Sequence, residues 1–171
     1  MRRLAIGVTS FFCAMAQICA SQTKPATPST PKSVLGAYIA AWNSRDFTAF
    51  DKLLTADAIH EDVSQGVHAR GSAEIKELLR TSVQYEPDFK WQLTHVFQSG
   101  SYVAAEWTWT ATHTGNSPIG PVVGMHISQR GASIAIIENG RIKRMTDYYD
   151  DASGYPKPVQ KSVAKPAPMG N

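Results

Sequence analysis

A short alternating segment carries the first side chains that could do chemistry. In Ala58-Ile59-His60-Glu61-Asp62-Val63, alternation places His60 and Asp62 on one face of a strand and Glu61 on the other. A carboxylate one pleat away from an imidazole can accept, donate or share a proton. If other elements cover that face, the two groups lie in a cavity. If the face is open, they are ordinary solvated side chains.

The elements that must position this face begin with helices. Apolar residues at three-to-four spacing predict a first helix that is capped by Thr30 or Ser33 and ends near Asn43-Ser44. We expect a second helix over residues 46–54. A third opens at Ser72 and is stopped by Pro87.

After Pro87 the spacing of apolar residues changes from the three-to-four of a helix to every second residue, which predicts a meander of long strands. Its first strand should place Phe89, Trp91, Leu93, His95 and Phe97 on one face. In the next strand, the file Val103, Ala105, Trp107 and Trp109 should face inward. The Gly/Pro-rich loop 115–124 precedes a last hairpin, which turns at Asn139-Gly140. Helices followed by an antiparallel meander predict an α+β domain, a curved sheet closed by helices into a cone.

The charge balance excludes a typical nucleic-acid-binding protein. The 171-residue chain has a formal charge of +3, but residues 33–152 carry ten Lys/Arg and fourteen Asp/Glu, hence −4. This stretch has no basic patch interleaved with aromatic residues. The five histidines are scattered without the close spacing of metal ligands, so we expect no metal and no cofactor.

Both ends of the chain differ in composition from the middle. Arg2-Arg3 and the apolar run Leu4 to Ala20 resemble a secretory signal, so residues 1–20 are expected to be removed on export to the periplasm or the medium. A lipoprotein site at Cys19 is a minor alternative. Residues 21–32 then form a flexible linker, 33–152 the domain and 153–171 a disordered Pro/Lys-rich tail. No membrane attachment is expected after cleavage.

Three stretches carry a resemblance to a known family. They are residues 38–47, residues 56–75 around His60 and Asp62, and residues 139–149. The segment Thr112-His113-Thr114-Gly115 is a fourth stretch that matches. Over about residues 33–152 the chain resembles the nuclear transport factor 2-like superfamily, in its SnoaL-like polyketide cyclase and ketosteroid isomerase branch. The resemblance implies a cystatin-like α+β barrel, in which three N-terminal helices cover a cone-shaped antiparallel sheet.

The resemblance also implies roles for individual residues. Asp62 matches the general base of the isomerases, and Tyr38 matches their oxyanion-binding tyrosine. The isomerases and the SnoaL-like cyclases both place a further aspartate at about Gly131 to Ile134, where this chain has none. Ser133 would be a weaker donor there. Proton abstraction beside a carbonyl needs both a base and a donor for the developing oxyanion.

The last strand offers a substitute carboxylate. Met145, Asp147 and Tyr149 share a face and resemble the pocket-facing positions of the isomerases. Two aspartates in one apolar cavity repel each other, so one of Asp62 and Asp147 is expected to hold a proton as the acid. Alternatively, Asp147 accepts a structural hydrogen bond from Tyr38 or a backbone amide.

Two functions follow as alternatives. The first is cofactor-free acid/base chemistry, isomerisation or aldol-type cyclisation, on a small hydrophobic carbonyl compound. The second is a non-catalytic small-molecule-binding or subunit-association module of the same fold, and in either case we expect a homodimer through the outer sheet face. The expected catalytic residues are Asp62, Tyr38 and Asp147, and the expected substrate-binding residues are His60, Trp107, Trp109, His113, His126, Met145 and Tyr149.

Overall fold

The computed structural model describes residues 30–115 and 123–150. The expected signal segment, most of the linker, the centre of the Gly/Pro-rich loop and the tail lie outside these residues. Within the described ranges, no helix is long and apolar enough to cross a membrane.

The described residues form three helices and one six-stranded sheet of α+β type, as expected. The helices are α1 (Pro31–Ser44), α2 (Phe50–Leu53) and α3 (Gly71–Tyr85). The strands are β1 (Leu54–Asp62), β2 (Val67–Arg70), β3 (Lys90–Ser99), β4 (Tyr102–Thr112), β5 (His126–Glu138) and β6 (Arg141–Tyr149).

Helix α1 lies where the apolar spacing predicted it. The Thr30 hydroxyl accepts from the Ser33 amide (3.1 Å), and the Ser33 hydroxyl accepts from the Thr30 amide (2.9 Å). This reciprocal cap satisfies amides that have no partner in the first helical turn. The helix buries one face against the sheet, with Tyr38 at 0% exposure.

Helix α2 is shorter than expected. Asp46 does not begin it, because its carboxylate accepts from the amides of Thr48 (3.0 Å) and Ala49 (3.1 Å) and so closes a turn. Short acidic side chains commonly bond the backbone in this way in place of helix formation. The prediction of a helix over residues 46–54 was therefore wrong except for its last turn.

The sheet runs β2-β1-β6-β5-β4-β3. All neighbouring pairs are antiparallel except β1 and β6, which are parallel. This parallel pair returns the last strand to the first, one strand in from the β2 edge of the curved sheet. It sets Asp62 opposite Asp147, and His60 opposite Met145.

A bulge in β3 changes which side chains face inward. Leu93 pairs with Trp107, but the next partner of Glu106 is His95, so Thr94 is an extra residue. An extra residue reverses the faces of a strand beyond it. Val96 is consequently packed against the core, whereas Phe97 is 62% exposed. The prediction that His95 and Phe97 share the inward face of Trp91 was wrong.

Two further sheet predictions are confirmed. On β4 the inward file includes Val103, Ala105 and Trp107, all buried. The β5–β6 hairpin turns at Asn139 and Gly140, with φ of 51° and 71°. Two consecutive residues of positive φ match the twist of a tight hairpin.

Candidate functional site

The inward faces of β1 and β6 bring together two of the residues expected at the site, His60 and Asp147. His60 and Asp147 are 4% and 6% exposed. Their side chains meet directly, with His60 Nε2 3.0 Å from Asp147 Oδ2. On its other side, His60 Nδ1 is 2.8 Å from the Tyr38 hydroxyl of α1. The imidazole is therefore held at both nitrogens.

The chain of hydrogen bonds continues through β5 to β4. The Ser133 hydroxyl donates to Asp147 Oδ1 (2.5 Å), and the Trp107 indole N–H donates to Ser133 Oγ (2.7 Å). We call Tyr38, His60, Asp147, Ser133 and Trp107 the buried chain. Because a buried polar group without a partner is costly, this complete set of partners makes the chain stable in an apolar interior.

Burial fixes the donor at one end of the chain. It raises the pKa of Tyr38 far above the ordinary value of a phenol. The hydroxyl therefore keeps its proton at any working pH and can donate it to His60. Because that proton is used within the chain, Tyr38 is not free to bind a substrate oxygen in this arrangement.

Asp62 lies beside the buried chain but has its own partners. Its Oδ2 accepts from the Tyr149 hydroxyl (2.6 Å) and its Oδ1 from the Gln65 amide (3.0 Å). The residue is only partly buried. Burial raises its pKa, the two hydrogen bonds oppose that shift, and the negative charge of Asp147 adds to it in smaller measure.

The two aspartates thus occupy different environments. Asp147 accepts from Ser133 and contacts His60, neither of them the partner expected from the sequence, whereas Asp62 accepts from Tyr149 and Gln65. Each carboxylate has separate donors, so the arrangement differs from one proton shared between the pair.

Trp107 fits only because its neighbour across the sheet has no side chain. It pairs with Gly131, and a Cβ there would lie 2.4 and 2.5 Å from two ring atoms and 2.8 Å from the Tyr148 carbonyl oxygen. The indole lies against β5 and also contacts the Tyr149 ring, at 5.6 Å between centroids. Gly131 therefore allows Trp107 to reach Ser133.

A second polar cluster lies further along β4. The Trp109 indole N–H donates to Glu86 Oε2 (2.7 Å), and Glu86 Oε1 is 3.5 Å from His113 Nδ1. His113 is buried, with the Tyr85 ring stacked on it and no hydrogen bond at either ring nitrogen. Trp109 and His113 are thus together, but apart from Asp147.

The remaining predicted site residues lie on different faces of the sheet, one inward and one outward. Met145 is buried beside His60. His126 pairs with Thr112 and is exposed, so it does not lie with the others. Glu86 and Gly131 were not expected at the site. No pattern in the sequence indicated Glu86, whereas Gly131 breaks an otherwise regular strand.

The described residues contain no group of three or more His, Cys, Asp or Glu side chains arranged to hold a metal ion. A cleft of about 510 Å³ is separate from the site and is lined by Asn43, Arg45, Asp88, Phe89, Lys90 and Gln92. Arg45 there donates to the carbonyl oxygens of Pro87 (2.7 Å) and Phe89 (3.2 Å), which makes it a structural tie.

A curved sheet covered by helices, with carboxylates on its inner face, defines a protein of the nuclear transport factor 2-like, ketosteroid isomerase-like class. Residues 32–156 match the model of the SnoaL-like polyketide cyclase family, and the chain belongs to that family. None of the curated proteins compared with the chain matches it.

Solved structures agree with this assignment. A protein of Pseudomonas putida KT2440, provisionally assigned as a polyketide cyclase, is 27% identical with a TM-score of 0.63, over 73% of this chain and 95% of its own. IdmH of Streptomyces antibioticus, provisionally assigned likewise, is 18% identical with a TM-score of 0.66, over 74% and 96%. AclR of Streptomyces galilaeus, provisionally assigned as a hydroxylase, is 22% identical with a TM-score of 0.59, over 70% and 77%.

Proposed function

We propose that the protein catalyses cofactor-free acid/base chemistry, an isomerisation or aldol-type cyclisation, on a small hydrophobic carbonyl compound. Asp62 is the general base. The observation that carries this proposal is its position, since it is partly buried, has a raised pKa and is oriented by two donors. A raised pKa brings a carboxylate closer to the pKa of a good base near neutrality.

Tyr149 supplies the donor for the oxyanion. Its hydroxyl donates to Asp62 in the resting state. Once Asp62 has taken a proton from the substrate, its negative charge is gone and its attraction for the phenol weakens. The same hydroxyl can then donate to the enolate oxygen that forms nearby. Tyr149 is better placed for this role than Tyr38, whose hydroxyl is fully buried and bonded to His60.

The surroundings of Asp62 suit an apolar substrate. The Tyr149 and Trp107 rings form one wall, and the partly buried Trp109 and Met125 lie on the same inner face. Asp147, on the adjacent strand β6, lies opposite Asp62.

The alternative is a non-catalytic binding or association module. The buried chain favours it, because its members tie α1 to β1, β6, β5 and β4 through consecutive hydrogen bonds. Such a chain stabilises the fold whether or not a substrate is turned over.

Exchange of the α-protons of 2-tetralone in D2O, followed by NMR, distinguishes the two functions. We expect exchange above the buffer rate, reduced about 10²–10⁴-fold in Asp62→Asn, the contribution of a general base. Asp57→Asn is the matched control, since Asp57 is an exposed carboxylate of the same strand that pairs with Lys143. Exchange no faster than in buffer, or equal in both variants, contradicts the enzyme and favours the binding module.

We propose that the protein is a homodimer through the outer sheet face. That face exposes Tyr102, Ile134 and Tyr148 on three adjacent strands, at 55%, 46% and 47%. Ile134 is central, since it lies between Ala104 and Thr146 in the register. Ile134→Lys should convert a dimer to a monomer in light scattering after size exclusion. A wild-type monomer at micromolar concentration contradicts the proposal.

Export to the periplasm or the medium is also a proposal, supported by the composition of residues 1–20. N-terminal sequencing of the protein from the producing cells should find a chain beginning near Ser21. A chain that retains Met1 to Ala20 contradicts it.

A further inference from the structure

The direction of each hydrogen bond in the buried chain can be assigned from one end. An indole N–H can only donate, so Trp107 must donate to Ser133 Oγ. The hydroxyl proton of Ser133 then has Asp147 Oδ1 as its acceptor, at 2.5 Å. Asp147 is therefore an acceptor at Oδ1.

The other end leads to the same assignment. The Tyr38 phenol keeps its proton and donates to His60 Nδ1. A neutral imidazole that accepts at Nδ1 carries its hydrogen at Nε2, 3.0 Å from Asp147 Oδ2. Every donor in the chain is thus directed toward Asp147.

We propose that Trp107 and Ser133 are positioning residues that hold Asp147 as a hydrogen-bond acceptor and thereby fix His60 in its Nε2–H tautomer. The effect of this positioning on catalysis rests on the proposed function, in which the His60–Asp147 pair lies beside the base Asp62. Without the Ser133 donor, Asp147 Oδ1 loses its partner and the carboxyl group is free to rotate, so its hold on the Nε2–H of His60 weakens and the Nδ1–H tautomer gains population.

Gly131 is needed for the same positioning of Asp147. The Trp107 ring crosses the backbone at Gly131, and only a residue without Cβ leaves that space. Trp107, Gly131 and Ser133 therefore act on Asp147 through the hydrogen bond that Ser133 donates to it.

Long-range ¹H–¹⁵N NMR correlations read the His60 tautomer directly in the uniformly labelled full-length protein. We expect the Nε2–H form in the wild type, and an Nε2–H to Nδ1–H ratio about 10-fold lower in Ser133→Ala, since a hydrogen bond to a charged group is lost. Ser133→Thr keeps the hydroxyl and should restore the wild-type ratio. Trp107→Phe keeps a ring but removes the N–H, and should also lower the ratio.

Two matched controls separate this effect from general disturbance of the strands. Ser128→Ala removes an exposed hydroxyl of the same strand, and Trp109→Phe removes an indole N–H that binds Glu86. Both should leave the His60 tautomer unchanged. An Nδ1–H tautomer in the wild type, or an unchanged ratio in Ser133→Ala, overturns the inference.

The 2-tetralone assay distinguishes failure of this inference from failure of the proposed function. A tautomer change with no exchange activity in the wild type supports the positioning role and contradicts the enzyme. Active wild-type protein whose tautomer does not respond to Ser133→Ala contradicts the positioning role alone.

Discussion

Gly131→Ala tests the packing of Trp107 against β5. The new Cβ would lie 2.4 and 2.5 Å from two atoms of the ring and 2.8 Å from the Tyr148 carbonyl oxygen. Carbon atoms in ordinary contact are about 3.5–4.0 Å apart. The indole must therefore move by about 1 Å or more, and the β5 backbone must shift slightly away from the Tyr148 carbonyl.

The cost combines two effects. Overpacking of a filled core costs about 1–3 kcal/mol, and loss of the Trp107–Ser133 hydrogen bond costs about 0.5–1.5 kcal/mol. We expect the free energy of unfolding to fall by about 2–4 kcal/mol. Urea denaturation followed by far-UV circular dichroism measures it without dependence on tryptophan emission.

Gly36→Ala is the matched control. Gly36 lies within α1 and an added Cβ there meets nothing within 4 Å. This variant should gain about 0.5–1 kcal/mol from helix propensity. In a Trp107→Leu background, Gly131→Ala should cost much less, a coupling of about 1 kcal/mol or more. A cost below 0.5 kcal/mol, or an equal cost in both backgrounds, refutes the reasoning.

Two further stability predictions follow from the contacts. Asn43→Ala should lower the free energy of unfolding by about 1–3 kcal/mol, as measured in urea. The Asn43 side chain donates to the Trp91 carbonyl oxygen (2.7 Å) and accepts from the Trp91 backbone N–H (2.8 Å), and both hydrogen bonds are lost. The same cost in Ser44→Ala, at the next residue, contradicts this. Asp62→Asn should stabilise the fold at pH 7. The Asp62 carboxyl has a raised pKa, so it binds its proton more tightly in the folded than in the unfolded protein. The wild type therefore loses stability as pH rises from the unfolded pKa of about 3.9 through the folded pKa, and the asparagine variant does not. The gain should vanish below that window, and a gain that persists there contradicts the pKa shift.

The fold was largely predictable because its signals are local. Helix α1 follows from apolar spacing and from the cap at Thr30, and the last hairpin from Asn139-Gly140. The bulge at Thr94 was not predictable. An extra residue in a strand becomes visible only from the register with the partner strand, and the apolar alternation of the strand's own sequence does not show it.

The sequence predicted which strand faces carry His60, Asp62 and Asp147, but not which side chains they contact. Alternation placed His60, Asp62 and Asp147 on inward faces. Which side chains meet depends on the parallel pairing of β1 with β6, a contact between residues more than 80 positions apart. Ser133 occupies the place where related proteins were expected to carry an aspartate, and its role as a donor to Asp147 required the register of β5 with β6.

The pH dependence of 2-tetralone exchange tests most directly whether Asp62 is the base. The rate should rise as Asp62 loses its proton, with a midpoint above the ordinary aspartate value of about 3.9, because burial raises the pKa of Asp62. This rise should be absent in Asp62→Asn and unchanged in Asp57→Asn. A pH-independent rate in the wild type, or the same rise in Asp62→Asn, contradicts the assignment of Asp62 as the general base.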